Sequence, residues 1–209
     1  MQYEKISQCD INIFYKPARI LIAGFSGSGK STFDVILLRK YRSAFNKVFV
    51  LGADLENARD LNIQRNDEFN PFIEKLEGSN LMIFDDCLHD KKLIELASML
   101  FTKGRHLGIS CIFITQNLFL NHKSFRHISL NSTHVAILRN RDDRQITCFA
   151  KTFLPDSKIK QLLDLYKREV AKQKHKYILI DFTADVDTRL LIRNSLFGEH
   201  PYQKAYLLQ

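Results

Sequence analysis

Arg19-Ile20-Leu21-Ile22-Ala23-Gly24-Phe25-Ser26-Gly27-Ser28-Gly29-Lys30-Ser31 decides the fold. Residues 19–23 read as a short buried strand, and Gly24–Ser31 matches G-x-x-x-x-G-K-[ST] in full. Phe33, Ile36, Leu37 and Tyr41 follow at helical spacing, so the motif has a strand before it and a helix after it. That context makes it a phosphate-binding loop. Its glycines let consecutive N–H groups turn inward on a phosphate chain, and the helix N-terminus adds partial positive charge. Gly24, Phe25, Ser26, Gly27, Ser28, Gly29, Lys30, Ser31 and Thr32 form the expected cradle for a nucleoside triphosphate. Lys30 is expected at the β- and γ-phosphates and Ser31 at Mg²⁺.

Outward from the loop, Leu81-Met82-Ile83-Phe84-Asp85-Asp86 reads as a buried parallel strand. Its tip carries two carboxylates into the crevice at the strand ends. Adjacent like charges favour a nearby cation, so Asp85 is a candidate Mg²⁺ ligand and Asp86 a candidate for orienting water. Lys47–Leu51, Ile109–Thr115 and Val135–Leu138 are further strands, the second ending in Gln116-Asn117. Leu93, Ile94, Ala97, Leu100 and Phe101 make a helical stripe, with Gly104 as its expected C-cap and Arg105-His106 presented beyond it.

The remaining segments are less regular. Ile11, Ile13 and Phe14 give a weak strand signal. The stretch 52–78 reads as an elaborated loop with a short helix around Phe72, Ile73 and Leu76. Residues 118–127 interleave His122, Lys123 and Arg126 with Phe119 and Phe125. Pro155-Asp156-Ser157 starts an amphipathic helix through Ile159, Leu162, Leu163, Tyr166 and Val170, whose end is basic at Lys167, Arg168, Lys172, Lys174 and Lys176. Tyr177–Phe182 and Arg189–Arg193 are expected to form a terminal strand pair, and residues from Gly198 onward a tail.

The 209 residues suit one α/β domain with a large core. Its expected parts are an extension over 1–17, a P-loop core over 18–154, a helix and strand pair over 155–197 and a tail over 198–209. With 31 Lys and Arg against 23 Asp and Glu, the net charge is +8, which suits an anionic partner, nucleic acid first. Cys9, Cys87, Cys111 and Cys148 are widely spaced and suggest neither a disulfide framework nor a zinc site. There is no signal-peptide pattern and no apolar run of about 18 residues, so the expectation is a soluble intracellular protein with no membrane partner.

Four stretches together resemble the FtsK–HerA superfamily of ring ATPases, and within it the DNA-packaging ATPases of large nucleocytoplasmic DNA viruses, virophages and polinton- or adinto-type elements. They are Gly24–Ser31, Leu81–Asp86, Gly104-Arg105-His106 with Ile109–Gln116, and Leu138–Asp143 with Gln145-Ile146. The resemblance implies a RecA-like, mainly parallel sheet of order 5-1-4-3-2. It places Gln116 beside the γ-phosphate as a sensor and makes Arg105 a candidate arginine finger. It implies ATP and Mg²⁺, a homo-oligomeric ring (pentamer or hexamer), double-stranded DNA as cargo and a capsid or portal component as partner. The setting would be a host-cell assembly site or the virion. Lys123, Arg126, Lys172, Lys174 and Lys176 are the candidate DNA-phosphate contacts. The superfamily often has Asp-Glu where this chain has Asp85-Asp86, one methylene shorter. Competing readings are a cellular or plasmid DNA translocase or helicase, and a small-molecule P-loop kinase, for which no arginine-rich lid is found. A signalling GTPase lacks its N-K-x-D, since Val48-Phe49 follows Asn46-Lys47.

Overall fold

The computed structural model describes residues 3–7, 13–52, 63–65, 73, 76–173, 175–183, 191–194 and 202–208. In chain order the strands are Tyr3–Ser7 (β1), Arg19–Ala23 (β2), Lys47–Gly52 (β3), Gln64–Arg65 (β4), Asn80–Asp85 (β5), Ile109–Thr115 (β6), His134–Leu138 (β7), Tyr177–Asp181 (β8), Ile192–Arg193 (β9) and Tyr202–Tyr206 (β10). The helices are Lys30–Tyr41 (α1), Lys91–Lys103 (α2), Lys123–Leu130 (α3), Asp143–Phe153 (α4) and Asp156–Tyr166 (α5).

All these strands join one sheet of order β1-β10-β9-β8-β7-β2-β6-β5-β3-β4. The block β7-β2-β6-β5-β3 is parallel and has the expected order 5-1-4-3-2. Every residue of β6 and β7 is buried, as strands covered on both faces require. Alternate side chains feed two cores. Ile20, Ile22, Val48, Val50, Ile112 and Ile114 pack with α1 on one face. Leu21, Ala23, Phe49, Leu51, Cys111 and Phe113 pack with α2 to α5 on the other. Because the strands are parallel, β2, β3, β5, β6 and β7 all end at the same edge of the sheet.

Local signals set the helix boundaries. Asp90 caps α2, its carboxylate accepting from Lys92 N at 2.8 Å and Leu93 N at 3.1 Å. Asp142 caps α4 through Arg144 N at 2.9 Å. The helix expected after Pro155 is α5, and its end widens into a π turn over Lys167–Ala171.

Several expectations change. Gly104 is the C-cap of α2, as expected, but with φ −56° instead of a left-handed conformation, and it opens a 3₁₀ turn, Gly104–Leu107. The chain reverses at Gly108 instead (φ 67°), where a Cβ would lie 2.8 Å from the Gly78 carbonyl. Ile13 is buried against the α1 face and lies in a turn, with Phe14 edge-on to Tyr41 and Phe45; Ile11 lies outside the described residues. The short helix near Phe72 lies almost wholly outside them too, although Ile73 is buried. The expected terminal strand pair is present, β9 lying antiparallel to β8, and it continues the main sheet because β8 lies antiparallel to β7. The expected tail contains β10, which pairs with β9 on one side and β1 on the other. That strand depends on partners near residues 5 and 193, and no local periodicity announces such a pairing. Among the described residues, no helix is long and apolar enough to cross a membrane.

Candidate nucleotide site

The phosphate loop is rooted between two strand tips. Gly24 N donates to the Thr115 carbonyl at the end of β6 (3.2 Å), and Phe25 N to the Arg139 carbonyl just past β7 (3.0 Å). Gly24 must be glycine, since a Cβ would lie 2.6 Å from Ser28 Oγ and 2.8 Å from Leu138 Cβ. Gly29 adopts φ 101° and serves as N-cap of α1. Phe33 N then donates to the Gly29 carbonyl (2.9 Å), the first helical bond. The Gly24, Phe25 and Ser28 amides are thus used to shape the loop, which runs straight into the N-terminus of α1, a position suited to phosphate. Lys30 Nζ curls onto the Gly24 and Phe25 carbonyls (2.8 and 3.1 Å). Burial lowers its pKa, while Asp85 and Asp86 act to raise it, which places the ammonium within the field of both carboxylates.

Asp85 closes β5 in register with Ile114 of β6 and Gly52 of β3. Burial raises its pKa and the Lys30 charge opposes that rise. Asp86 is exposed and left-handed (φ 53°), a conformation that Asp tolerates better than most residues. The bend turns Asp86 off the strand line, so the two carboxylates are presented differently. Cys87 anchors the bend, its Sγ donating to the Leu51 and Asp85 carbonyls at 3.3 and 3.2 Å. Gln116, exposed, follows β6 directly, beside the Gly24 root.

Asp34 was missed by the periodicity of α1. It is fully buried, three residues after Ser31, and among the described residues neither of its carboxylate oxygens has a hydrogen-bond partner. Burial, then the Asp85 charge, pushes its pKa up to about 8. A polar residue interrupting the apolar run that follows Ser31 was the available signal. With its pKa at about 8, Asp34 keeps its proton at neutral pH, so the carboxylates acting on the Lys30 ammonium are Asp85 and Asp86, and a divalent cation is physically welcome beside such a pair. The residues present therefore fit Mg²⁺. No group of three His, Cys, Asp or Glu among the described residues makes a cage, and Mg²⁺ is commonly shared with substrate phosphates and water.

A polar linkage also went unread. Gln145 Oε1 accepts from Leu118 N (2.8 Å) and Asn140 Nδ2 (3.3 Å), while its Nε2 donates to Asn117 Oδ1 (3.2 Å). Asn140 N donates to Tyr166 Oη at 2.6 Å. The tip of β6, the tip of β7 and the helices α4 and α5 are thereby held together. The guanidinium groups of Arg139 and Arg141 lie 4.7 and 5.1 Å from the Phe25 ring centre, within cation–π range.

Other expected site residues are dispersed. Ser31 and Thr32 are exposed at the start of α1. Arg105 is exposed, its Nε donating to His106 Nε2 (3.2 Å). It precedes the start of β6, whereas the phosphate loop follows the end of β2. The seven residues of β6, at about 3.3 Å each, separate the two edges by roughly 20 Å. Lys123 and Arg126 are exposed on α3, beside a groove of 480 Å³ shared with Leu118, Phe125, Phe149 and Phe153. Lys172 and Lys176 are exposed in the turn before β8, and Lys174 lies outside the described residues.

The sheet order and phosphate loop define a P-loop ATPase fold. Solved structures with the same fold include the genome-packaging NTPase B204 of Sulfolobus turreted icosahedral virus 2 in complex with ATP-gammaS. It is 11% identical with a TM-score of 0.55, over 93% of this chain and 100% of that one. The cytoplasmic domain of the type VII secretion ATPase EccC of Thermomonospora curvata is also similar (11% identity, TM-score 0.56), over 91% of this chain but 25% of that one. EssC of Geobacillus thermodenitrificans, ATPases 2 and 3, matches at 15% identity and TM-score 0.55, over 79% of this chain and 38% of that one. No family model and no curated protein sequence matches the chain.

Proposed function

We propose that this chain is an ATPase of the FtsK–HerA type that translocates double-stranded DNA, packaging a viral genome into a capsid as a ring of identical subunits. The observation that carries the reading is the convergence, at one sheet edge, of Lys30 at the start of α1 with Asp85, Asp86 and Gln116 at the ends of the neighbouring strands β5 and β6. Support for the packaging role comes from B204, a viral packaging NTPase matched along its whole length.

Phosphoryl transfer of this kind depends mainly on positioning and charge neutralisation. Lys30 leaves the loop carbonyls to pair with the β- and γ-phosphates, and the loop amides hold the same oxygens. Ser31 and Asp85 hold Mg²⁺, which supplies charge neutralisation when bound. Asp86 orients the attacking water, and Gln116 reads the γ-phosphate and passes its state to Gln145 through Asn117. Lys123 and Arg126 offer charge to DNA phosphates without sequence preference. DNA-stimulated ATP hydrolysis, measured together with oligomeric state, tests the reading. Turnover indifferent to DNA in a confirmed ring would overturn the translocase assignment.

The similarity to EccC and EssC favours one second reading, a cellular motor of the same fold. Equal stimulation by a polypeptide and no response to DNA would select it.

A further inference from the structure

His175, just before β8, lies against the phosphate loop of its own chain. Strand β8 begins at Tyr177, paired with Leu138 of β7, and Leu138 in turn abuts Gly24. Tyr177 also packs edge-on against Phe33 of α1, with ring centres 4.6 Å apart. These contacts bring His175 to the loop itself. A Cβ built on Gly29 would lie 2.5 Å from His175 Nδ1 and 3.3 Å from its Cα and Cγ. His175 is left-handed (φ 58°) without being glycine. A histidine held in that uncommon conformation, ring against the last glycine before Lys30, invites a functional explanation. Lys172 and Lys176, both exposed, flank it in the same turn.

Phosphates are recognised by convergent N–H donors and positive charge. Imidazole carries an N–H donor in either neutral tautomer and two when protonated. We propose that His175 is a phosphate-binding residue of the nucleotide site, and that Lys172 and Lys176 beside it add positive charge to that site in cis. The proposal rests on the phosphate-loop reading above. It gives the basic end of the C-terminal helix a task at the nucleotide, where charge alone had suggested DNA.

Fluorescent ATP and ADP analogues, together with inorganic pyrophosphate as competitor, provide the test on the full chain. Glycine tolerates positive φ freely, so His175→Gly removes the ring and keeps the turn. His175→Asn keeps the turn and a shorter donor. A lost hydrogen bond to a charged group is expected to weaken ATP, ADP and pyrophosphate about tenfold in the Gly variant. The Asn variant should fall between it and wild type. Trypsin cleavage after Lys172 and Lys176 should slow when ATP is added to wild type. Wild-type affinity for pyrophosphate in both His175 variants overturns the proposal. If Lys30→Ala then still abolishes binding, the phosphate-loop reading survives; if Lys30→Ala also binds normally, that reading fails as well.

Discussion

At the scale of single residues the proposed function assigns phosphate binding to Lys30 and water orientation to Asp86, so their substitutions should separate binding from hydrolysis. Lys30→Ala removes the ammonium that the Gly24 and Phe25 carbonyls hold in place. It should weaken ATP binding and reduce turnover to background, read by titration and phosphate release. Asp86→Asn keeps size and bend while removing the charge proposed to orient water. That variant should bind ATP normally and turn over at least about 100-fold more slowly; wild-type turnover would reduce the carboxylate pair to an acidic turn. Asp34 makes a different prediction, about stability. The unfolded chain releases its proton near the ordinary carboxylate value of 3.8, whereas the folded protein holds it up to about 8. Between those values the folded state binds the extra proton, so stability falls as pH rises and levels off above 8. Asp34→Asn cannot titrate. Its stability advantage over wild type in urea unfolding should grow by up to about 1.4 kcal/mol per pH unit across that window. Parallel stability curves for the two proteins would refute the buried-carboxylate account.

At the scale of elements, β8 and β9 are joined by a buried ion pair, Arg193 to Asp181 at 2.5 Å. Burial would raise the Asp181 pKa, but His134 and Thr183 outweigh it through hydrogen bonds and charge and bring it to about 2. The stability this carboxylate contributes is present above its unfolded pKa and is lost as pH falls from about 4 through 2. Arg193→Leu leaves Asp181 buried without its guanidinium and should cost about 3–5 kcal/mol, read as a lower urea midpoint. An unchanged midpoint would show that the pair is dispensable. This junction also marks the limit of what the sequence makes legible. The strands β2, β3, β5, β6 and β7 are runs of apolar residues ending in loop, acidic or polar tips, so both their type and their crevice edge can be read locally. The antiparallel extension depends on pairings such as Lys5 with Lys204 and Ala205 with Arg193, which no local pattern encodes. The site divides in the same way. Lys30, Asp85 and Asp86 belong to contiguous motifs, whereas His175 reaches Gly29 and Gln145 reaches Asn117 only through tertiary packing.

For the whole molecule, the decisive relation is between the two edges of the sheet. The phosphate loop occupies the edge where β2 ends. Arg105 occupies the edge where β6 begins, within the electrostatic range of Arg19 at the start of β2. With a strand's length between them, Arg105 cannot reach the nucleotide of its own chain. A role in hydrolysis therefore requires a neighbour whose phosphate loop faces this edge, as a head-to-tail ring provides. The guanidinium is always charged and presents donors in a fork suited to phosphoryl oxygens. An arginine supplied in this way can accelerate phosphoryl transfer about 10³–10⁵-fold. Arg105→Ala should then lose turnover while retaining ATP affinity, because its own cradle is intact. Mixing decides whether the arginine acts across the interface. Arg105→Ala subunits, inactive alone, contribute intact Lys30 sites, and Lys30→Ala subunits, also inactive alone, contribute intact Arg105. Rings assembled from both should recover part of the ATPase, at those interfaces where the two intact residues meet. Mixed rings verified by mass that stay inactive would count against the trans role, and full activity of Arg105→Ala alone would leave the arginine as a surface charge at the sheet edge.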